Sequence, residues 1–545
     1  MELLEWMDSK KKKNKITFSE IKYFDYYFVG FVCLMTFIFG IMYVLLSKTV
    51  YFWDDATYWD IGRMLAEKPF GFEFVKDIYN SIGTMDYNYF LALPVSLWMK
   101  AFGITRVSYI SSILIFYVIP TEIVLYFITK QVSKAPKFAY IMSLLIIPAW
   151  VYIAVIGFID VAGVLIGLIC YYLYFTDVLK KREWLKSIII GILLVLIMIS
   201  RRYFAYFSVS FITMMAIDSI LIKKNIKQLL ITVITVAVIL LVFFYPFFSN
   251  VLLKDYGKLY SSYKYSFFTD LKLITRYFGI IFLCIIFGFV PYMIIKQKEI
   301  RGAMALLQML VCATMFVSTQ THGQQHLLLY VPALLFMVIF ALNSVTKESM
   351  LIVLCIITLC NVLSPVIKRK QPQNIQEIRF LSAFPSYSVS PQKREDINEI
   401  LAIKRGLDRK IPEGASCGVL ASSFKLNSSI LINVMPSLNL KDERSDTYII
   451  GLPEVDSRDY WRLNEIYYCD YILVAVPAQT HLALSEQTII TEGVNSFINN
   501  TDFAQSFAVM HDFKGTIGDI EVMLYKRIKD VTKTEMTEFE LKLYK

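Results

Sequence analysis

The stretch that decides the fold is YFWDDATYWDIGRMLAE, residues 51–67, which directly follows an apolar run at residues 26–47. A helix that crosses a bilayer needs about 20 mostly apolar residues, so this run is long enough to do so. Charged side chains are costly inside a bilayer, and the acidic pair Asp54-Asp55 therefore marks the place where the chain leaves the membrane. The sequence predicts a membrane protein with a polar site at this exit.

The composition agrees with a membrane protein. The chain has 545 residues, of which 56% are hydrophobic and 18% are charged, and its mean hydropathy is +0.53. Soluble proteins carry about 25% charged residues. The net charge of +10 does not indicate nucleic-acid binding, because the basic residues form short clusters between apolar runs, where orientation signals are found. We expect a basic N-terminus at 1–25, a transmembrane domain at 26–365 and a soluble domain at 366–545.

About eleven spans are expected in this polytopic α-helical membrane domain. They are the apolar segments 26–47, 108–129, 139–159, 161–176, 187–200, 203–222, 229–248, 277–295, 303–318, 327–343 and 350–365. The shorter segment 87–102, which contains Pro94, is predicted to lie at the membrane interface. With that choice the basic linkers at 130–137, 180–186, 223–227 and 296–301 all fall on the same side as Lys10–Lys15.

This topology predicts a multi-pass protein of the plasma membrane. The N-terminus is expected in the cytoplasm, because basic residues favour that side. Residues 48–107 then form a first outer loop with juxtamembrane helices. An odd number of spans places the C-terminal domain outside the cytoplasm.

Three acidic residues are predicted on the outer face. Asp54 and Asp55 follow the first span, and Asp160 lies in the tight turn of IGFIDVAGVLIG. The pair is explained either as the start of a solvated loop or as a catalytic site. Asp160 is explained either as a helix N-cap or as a partner in that site.

Two arginines are predicted on the same face, in the sequence Ser200-Arg201-Arg202-Tyr203. They oppose the usual excess of basic residues inside the cell and interrupt a run of apolar residues. Guanidinium groups are planar donors that suit phosphate. We expect Arg201 and Arg202 to bind a phosphate, either that of a substrate or that of a lipid headgroup bound without specificity.

The polar turn at residues 320–326, QTHGQQH, contains two of the four histidines of the chain. His322 and His326 are four residues apart, a spacing that allows both to share a helical face and to bind a metal. Gly323 weakens such a helix, and no carboxylate is close in sequence. Hydrogen bonding to a phosphate or a sugar is therefore the alternative for His322, Gln325 and His326.

Together these residues match the needs of sugar transfer from a lipid-linked sugar phosphate. A carboxylate removes the proton of an attacking hydroxyl, and cations neutralise the departing phosphate. Direct attack inverts the anomeric centre. A transporter or lipid-linked saccharide flippase is the main alternative, although no internal repeat or paired broken helices are evident. A non-catalytic scaffold is a further alternative.

The order of these features resembles the GT-C membrane glycosyltransferases, particularly the bacterial relatives of protein O-mannosyltransferases and aminoarabinose transferases. The resemblance covers residues 26–345 and is carried by WDDATYW, NYFLALPVSLWMKAFGIT, FIDVAG, Arg201-Arg202 and GQQHLLLYVPALL. Many relatives have His/Pro-Pro-Leu before the interfacial segment, where this chain has Thr84-Met85-Asp86-Tyr87.

The resemblance implies a polyprenyl-phosphate sugar donor and an acceptor in a cell-envelope glycan, lipid or protein. Asp54 or Asp55 would be the general base, with Asp54 preferred, and Asp160 would be a partner for a metal or for the acceptor. Arg201 and Arg202 would bind the donor phosphate, and His322, Gln325 and His326 would line the same cavity. Some members use a divalent metal and others do not, so a metal stays open; Asp55 and Asp160 would be its ligands.

The C-terminal residues 366–545 predict an α/β domain. CGVLASS, TYIIGLP and DYILVAVP are typical of buried strands, and REDINEILAIKRGLDRKI and TIITEGVNSFINN are typical of helices. No catalytic motif is recognisable there, so acceptor recognition or a structural cap is expected. Cys417 and Cys469 lie in this domain, and the sequence does not decide whether they pair.

Overall fold

The computed structural model describes residues 18–223, 226–297, 299–345, 348–367, 378–440 and 448–543. The basic stretch Lys10–Lys15, on which the cytoplasmic N-terminus depends, lies outside these residues. Lys224 in one basic linker and Lys298 in another also lie outside them.

The N-terminal two thirds of the chain is helical. Its helices of seven residues or more are α1 Phe18–Leu46, α2 Trp53–Glu67, α3 Phe72–Thr84, α4 Ala92–Phe102, α5 Arg106–Val132, α6 Pro136–Ile146, α7 Ala149–Val155, α8 Val161–Phe175, α9 Glu183–Ser200, α10 Ala205–Ile217, α11 Ile226–Val238, α12 Phe267–Phe278, α13 Ile280–Gln297, α14 Arg301–Thr319, α15 Val331–Ser344 and α16 Glu348–Leu363.

All eleven predicted apolar segments are largely helical, but eleven crossings are not confirmed. Among the described residues, seven helices are long and apolar enough to cross a membrane, or nine if each of two bent pairs is one span. The segments at 161–176 and 327–343 form shorter apolar helices. The 92° bend between α12 and α13 falls at Gly279, whose φ of +78° favours glycine.

The segment after the first span forms three helices that are not among the span-length ones. The predicted interfacial segment 87–102 is helical only over its last part, α4, which has 11 residues. Helix α2 begins at Trp53. Asp54 and Asp55 therefore lie in its first turn, where the helix dipole favours acidic side chains.

In the residues that the structure describes, the C-terminal part forms a six-stranded mixed sheet with helices packed on it. Strands β1 Cys417–Leu420, β2 Ile449–Gly451 and β3 Tyr471–Val476 are parallel, and β6 Ile520–Arg527 pairs antiparallel with β3, β4 Phe507–Val509 and β5 Gly515–Ile517. The helices are α17 Ile397–Lys410, α18 Ser428–Ser437, α19 Thr488–Asn499 and α20 Lys533–Leu543.

The three strands and two helices predicted in this domain are confirmed. The sheet places Cys417 on β1 and Cys469 just before β3, and both are buried free thiols. The antiparallel strands β4–β6 are not predicted from sequence.

Two connections join the C-terminal domain to the start of the helical part. In the first, residues 48 and 393 form a parallel bridge: Lys48 N–H donates to Gln392 O at 2.7 Å, and Arg394 N–H donates to Lys48 O at 2.8 Å. In the second, α18 contacts the start of α2 through three hydrogen bonds, from Tyr51 N–H to Ser437 Oγ, from Trp53 N–H to Ser429 Oγ and from Asn433 Nδ2 to Asp60 Oδ2.

Candidate active site

The carboxylate of Asp54 is held by two hydrogen bonds from distant parts of the chain. The Tyr87 hydroxyl donates to Oδ1, and the Gln325 amide Nε2 donates to Oδ2. Tyr87 precedes α4, and Gln325 lies in the polar turn before α15. The side chain of Asp54 is thus fixed at the N-terminus of α2 with both oxygens engaged.

Asp160 and Arg201 form an ion pair that is almost fully buried. Arg201 Nε lies 2.7 Å from Asp160 Oδ1, and the two side chains are 5% and 1% exposed. The Tyr203 hydroxyl donates to the same oxygen at 2.7 Å. Asp160 occupies the N-cap position of α8 but makes no side-chain cap hydrogen bond. The sequence left two explanations for Asp160, a helix N-cap and a partner in the site. Its side chain does not form the cap.

Arg201 joins this pair to the partners of Asp54. Its guanidinium carbon lies 3.9 Å from the centre of the Tyr87 ring and 5.4 Å from the centres of the Tyr58 and Tyr203 rings. A guanidinium on aromatic faces is stabilised by cation–π attraction. We call Asp54, Tyr87, Gln325, Asp160, Arg201 and Tyr203 the Asp54 cluster.

Arg202 faces a different set of partners. It forms an ion pair with Asp86 and a hydrogen bond with the Tyr260 hydroxyl, and its guanidinium carbon lies 4.5 Å from the centre of the Tyr256 ring. The side chains of Arg202 and Asp86 are 17% and 32% exposed. Burial raises the pKa of Asp86, but the charge of Arg202 outweighs it and lowers this pKa below its ordinary value. Asp86 is therefore charged beside Arg202.

The two histidines of the polar turn have separate roles in the structure. His322 is buried, with Nδ1 2.6 Å from Asp270 Oδ1 and Nε2 in contact with the Tyr330 hydroxyl. His326 accepts a hydrogen bond at Nδ1 from Gly323 N–H, and its ring lies 4.8 Å from that of Tyr203. Gln325 of the turn therefore belongs to the Asp54 cluster, and His326 contacts that cluster at Tyr203.

Burial and the nearby positive charges hold the pKa of His326 well below its ordinary value. Its imidazole is consequently neutral at physiological pH, so its Nε2, which lies 3.5 Å from Gln320 Nε2, can act through hydrogen bonding and not through a positive charge. The expectation that both histidines line one cavity is not met for His322, because both of its ring nitrogens are occupied by protein groups.

Asp55 lies beside Gly157 and Tyr51 and, within the described chain, has none of the hydrogen-bond partners of Asp54. A Cβ built on Gly157 would be 3.7 Å from that of Asp55 and 3.1 Å from Tyr51 Cε1. Burial, reinforced by the charge of Asp54, raises the pKa of Asp55 well above its ordinary value. The acidic pair therefore divides into two different environments.

A metal ligand set is not found in this region. Among the residues that the structure describes, no group of three or more His, Cys, Asp or Glu side chains is placed to hold a metal ion. The carboxylate of Asp160 is neutralised by Arg201, so Asp55 and Asp160 do not fit the pair of metal ligands expected from the resemblance.

Sequence reasoning missed Tyr87, Tyr203 and Asp86. All three lie next to residues that were singled out, in Thr84-Met85-Asp86-Tyr87 and in Ser200-Arg201-Arg202-Tyr203. The first segment is where the chain departs from the pattern of many GT-C relatives. A signal was therefore present, because buried tyrosines and an isolated acid at a membrane exit are candidates for hydrogen bonding to charged neighbours.

No protein-family model matches the sequence, and neither does any curated protein. The chain has the GT-C fold of membrane glycosyltransferases, which confirms the expected fold class.

Among solved structures, it is similar to ArnT from Cupriavidus metallidurans bound to undecaprenyl phosphate, with a TM-score of 0.56 and 10% identity over 92% of this chain and 98% of that chain. The apo state of ArnT gives a TM-score of 0.53 with 10% identity, over 93% of this chain and 98% of that chain. The Archaeoglobus fulgidus oligosaccharyltransferase in complex with Zn and sulfate gives only 0.39, with 13% identity over 80% of this chain and 67% of that chain.

Proposed function

We propose that this chain is a membrane glycosyltransferase that moves a sugar from a polyprenyl-phosphate donor to an acceptor hydroxyl. The observation that carries the proposal is the Asp54 cluster, in which a carboxylate and a guanidinium from distant segments share the Tyr87 side chain. The similarity of the fold to ArnT bound to undecaprenyl phosphate supports this class of donor.

Asp54 is the proposed general base. Its carboxylate accepts the proton of the acceptor hydroxyl as that oxygen attacks the anomeric carbon. The bond from the anomeric carbon to the phosphate oxygen breaks, and the polyprenyl phosphate leaves with the bonding electrons. A single displacement of this kind inverts the anomeric centre. The transferred proton is then bound to one carboxylate oxygen of Asp54, and it replaces the hydrogen bond that Tyr87 or Gln325 donated to that oxygen.

The two arginines are proposed to have different tasks. Arg202 binds the donor phosphate, since its side chain is partly exposed and its pairing with Asp86 can be exchanged for a phosphate. Arg201 stays on Asp160 and orients Tyr87 towards Asp54. His326 and Gln325 supply neutral hydrogen bonds at the same site.

The site is proposed to lie on the extracytoplasmic face of the plasma membrane, with the C-terminal domain on that side and the N-terminus in the cytoplasm. The basic linkers between the spans support this orientation. The acceptor is then a glycan, lipid or protein of the cell envelope. The proposed boundaries are residues 26–365 for the transmembrane domain and 366–545 for the extracytoplasmic domain.

The test is sugar transfer by the full-length protein in membrane vesicles that supply envelope acceptors. A panel of radiolabelled undecaprenyl-phosphate hexoses and pentoses serves as the donor. We expect Asp54→Asn to lower the transfer rate about 100-fold or more, the range of general-base effects. Asp77→Asn is the matched control, because Asp77 lies on the nearby helix α3 and pairs with Lys68, which is not part of the Asp54 cluster.

Two outcomes contradict the proposal. If Asp54→Asn transfers sugar as fast as the wild type, Asp54 is not the base. If the wild type moves labelled donor across the vesicle membrane without forming a product, the chain is a flippase.

A further inference from the structure

Trp53, the residue immediately before Asp54, has an unusual backbone conformation. Its φ is +50°, in the left-handed region that bulky side chains rarely adopt. It is also the first residue of α2, so its conformation sets the direction in which that helix begins. Such a conformation persists only where the surroundings enforce it, and it is found disproportionately at functional sites.

The C-terminal domain supplies the groups that hold Trp53. The centre of its ring lies 5.0 Å from that of Phe424 and 4.5 Å from that of His481. Its backbone N–H donates to Ser429 Oγ at 3.2 Å. The ring and the backbone N–H of Trp53 are thus held by Phe424, His481 and Ser429. All three are more than 370 positions away in sequence.

The position of His481 is itself fixed. Its Nδ1 lies 2.9 Å from Ser422 Oγ, and its backbone N–H donates to Gln487 Oε1 at 2.8 Å. Ser422 follows β1, whereas His481 follows β3. These are adjacent parallel strands, so the carboxyl edge of the sheet provides the rigid surface against which Trp53 packs.

We propose that Trp53, held by Phe424 and His481, is a positioning residue for Asp54, an inference that rests on the proposed function. The contact fixes the first turn of α2, and it thereby places the Asp54 carboxylate between Tyr87 and Gln325. Trp53 does not touch the reacting groups. Loss of the contact allows the first turn to relax, and a displacement of about 1 Å at a reacting group can cost about 100-fold in rate.

The experiment compares full-length variants in two measurements. The first is kcat and donor KM with the undecaprenyl-phosphate sugar that the wild type uses. The second is amide hydrogen exchange of the peptide that covers residues 51–58, which needs no activity. The variants are Trp53→Gly, which tolerates a positive φ but lacks the ring, the conservative Trp53→Phe, and Phe424→Ala. Phe424 is 42% exposed, so its truncation leaves the core of the domain intact.

We expect Trp53→Gly and Phe424→Ala each to lower kcat about tenfold or more with donor KM unchanged, since only the geometry of the base is altered. Exchange at 51–58 becomes faster in both, and Trp53→Phe retains most of kcat. The two changes together lower kcat by less than the product of their separate effects, because both remove the contact between Trp53 and Phe424. Trp461→Ala, in an exposed ring of the same domain, is the control and behaves as the wild type.

Unchanged exchange at 51–58 in Phe424→Ala overturns the proposal whether or not the protein transfers sugar. Faster exchange with unchanged kcat also overturns it, because Asp54 then needs no such support. If the wild type transfers no sugar at all, the proposed function fails, and the positioning role for Asp54 fails with it. Faster exchange would in that case show only a structural contact.

Discussion

Arg201 and Arg202 are adjacent in sequence but lie in two different regions of the molecule. Arg201 is 5% exposed and is paired with Asp160, which is 1% exposed, whereas Arg202 is 17% exposed and is paired with Asp86, which is 32% exposed. A buried pair is costly to break, because the remaining charge stays unpaired away from water. A pair near solvent can exchange one partner for another at little cost. The first region therefore maintains the architecture of the site, and the second is suited to ligand exchange.

The largest expected effect is that of removing one member of the buried pair. Arg201→Ala leaves Asp160 as an uncompensated charge and should destabilise the protein by about 3–5 kcal/mol. Thermal unfolding in detergent measures this loss. The double variant Asp160→Leu/Arg201→Met should restore much of the stability while sugar transfer stays lost. Restored transfer in the double variant would show that Arg201 has no role beyond packing.

A buried carboxyl with a long ion pair sharpens the contrast. Glu454 is 9% exposed, and its Oε2 lies 3.9 Å from Arg458 Nη2. Burial raises the pKa of Glu454 from 4.5 to about 7. The folded state thus binds this proton more tightly than the unfolded state, so stability falls as the pH rises from about 4.5 to about 7.

Glu454→Gln removes this titration. The variant should therefore gain stability relative to the wild type as the pH rises, by no more than about 3 kcal/mol at pH ~8. The check is the difference in unfolding temperature between the two proteins from pH ~5 to pH ~8. A difference that does not change with pH would contradict the raised pKa.

Removing the cation of the second region should affect binding more than folding. Under the proposed function, Arg202→Ala loses charge-assisted hydrogen bonds to the donor phosphate, which are worth about 1.5–3 kcal/mol, so donor KM should rise about 10- to 100-fold. The unfolding temperature should change little. Lys258→Ala is the control, because Lys258 is an exposed lysine between Tyr256 and Tyr260 in the sequence. Equal effects of the two changes would indicate only general attraction to anionic lipid.

The smallest expected effect is that of Asp86→Asn. Under the proposed function, Asp86 competes with the donor phosphate for Arg202, so neutralising Asp86 should lower donor KM about twofold to fivefold, as expected for a partly exposed ion pair. Steady-state kinetics at low salt measure the change. A higher KM would instead mean that Asp86 holds Arg202 in its binding geometry.

Much of the fold could be predicted from the sequence, because membrane-spanning helices and buried parallel strands both require runs of apolar residues. Such runs occur in the eleven apolar segments and in the strands β1–β3. The antiparallel strands β4–β6 are short or only partly buried, so their sequences carry a weaker signal. The number of crossings depends on bends, such as the one at Gly279, that apolar length alone does not reveal.

The site was predictable only in part, for a physical reason. Charged residues at the ends of apolar segments stand out in a sequence, because a charge inside the bilayer is energetically costly. This criterion identified Asp54, Asp160, Arg201 and Arg202. Their pairing depends on which helices are neighbours, which the sequence of one chain does not contain. For the same reason Asp270, the partner of His322, could not be named, since it lies 52 positions away.

The paired backbone of residues 48 and 393 has a consequence for modular engineering. The C-terminal domain is attached both where its own chain begins and, through this bridge and α18, at the start of α2. A chimera that exchanges this domain between two GT-C bundles must therefore exchange the segment from Lys48 to Asp60 as well. The C-terminal domain and the first turn of α2 form one structural unit, although more than 300 residues of sequence separate them.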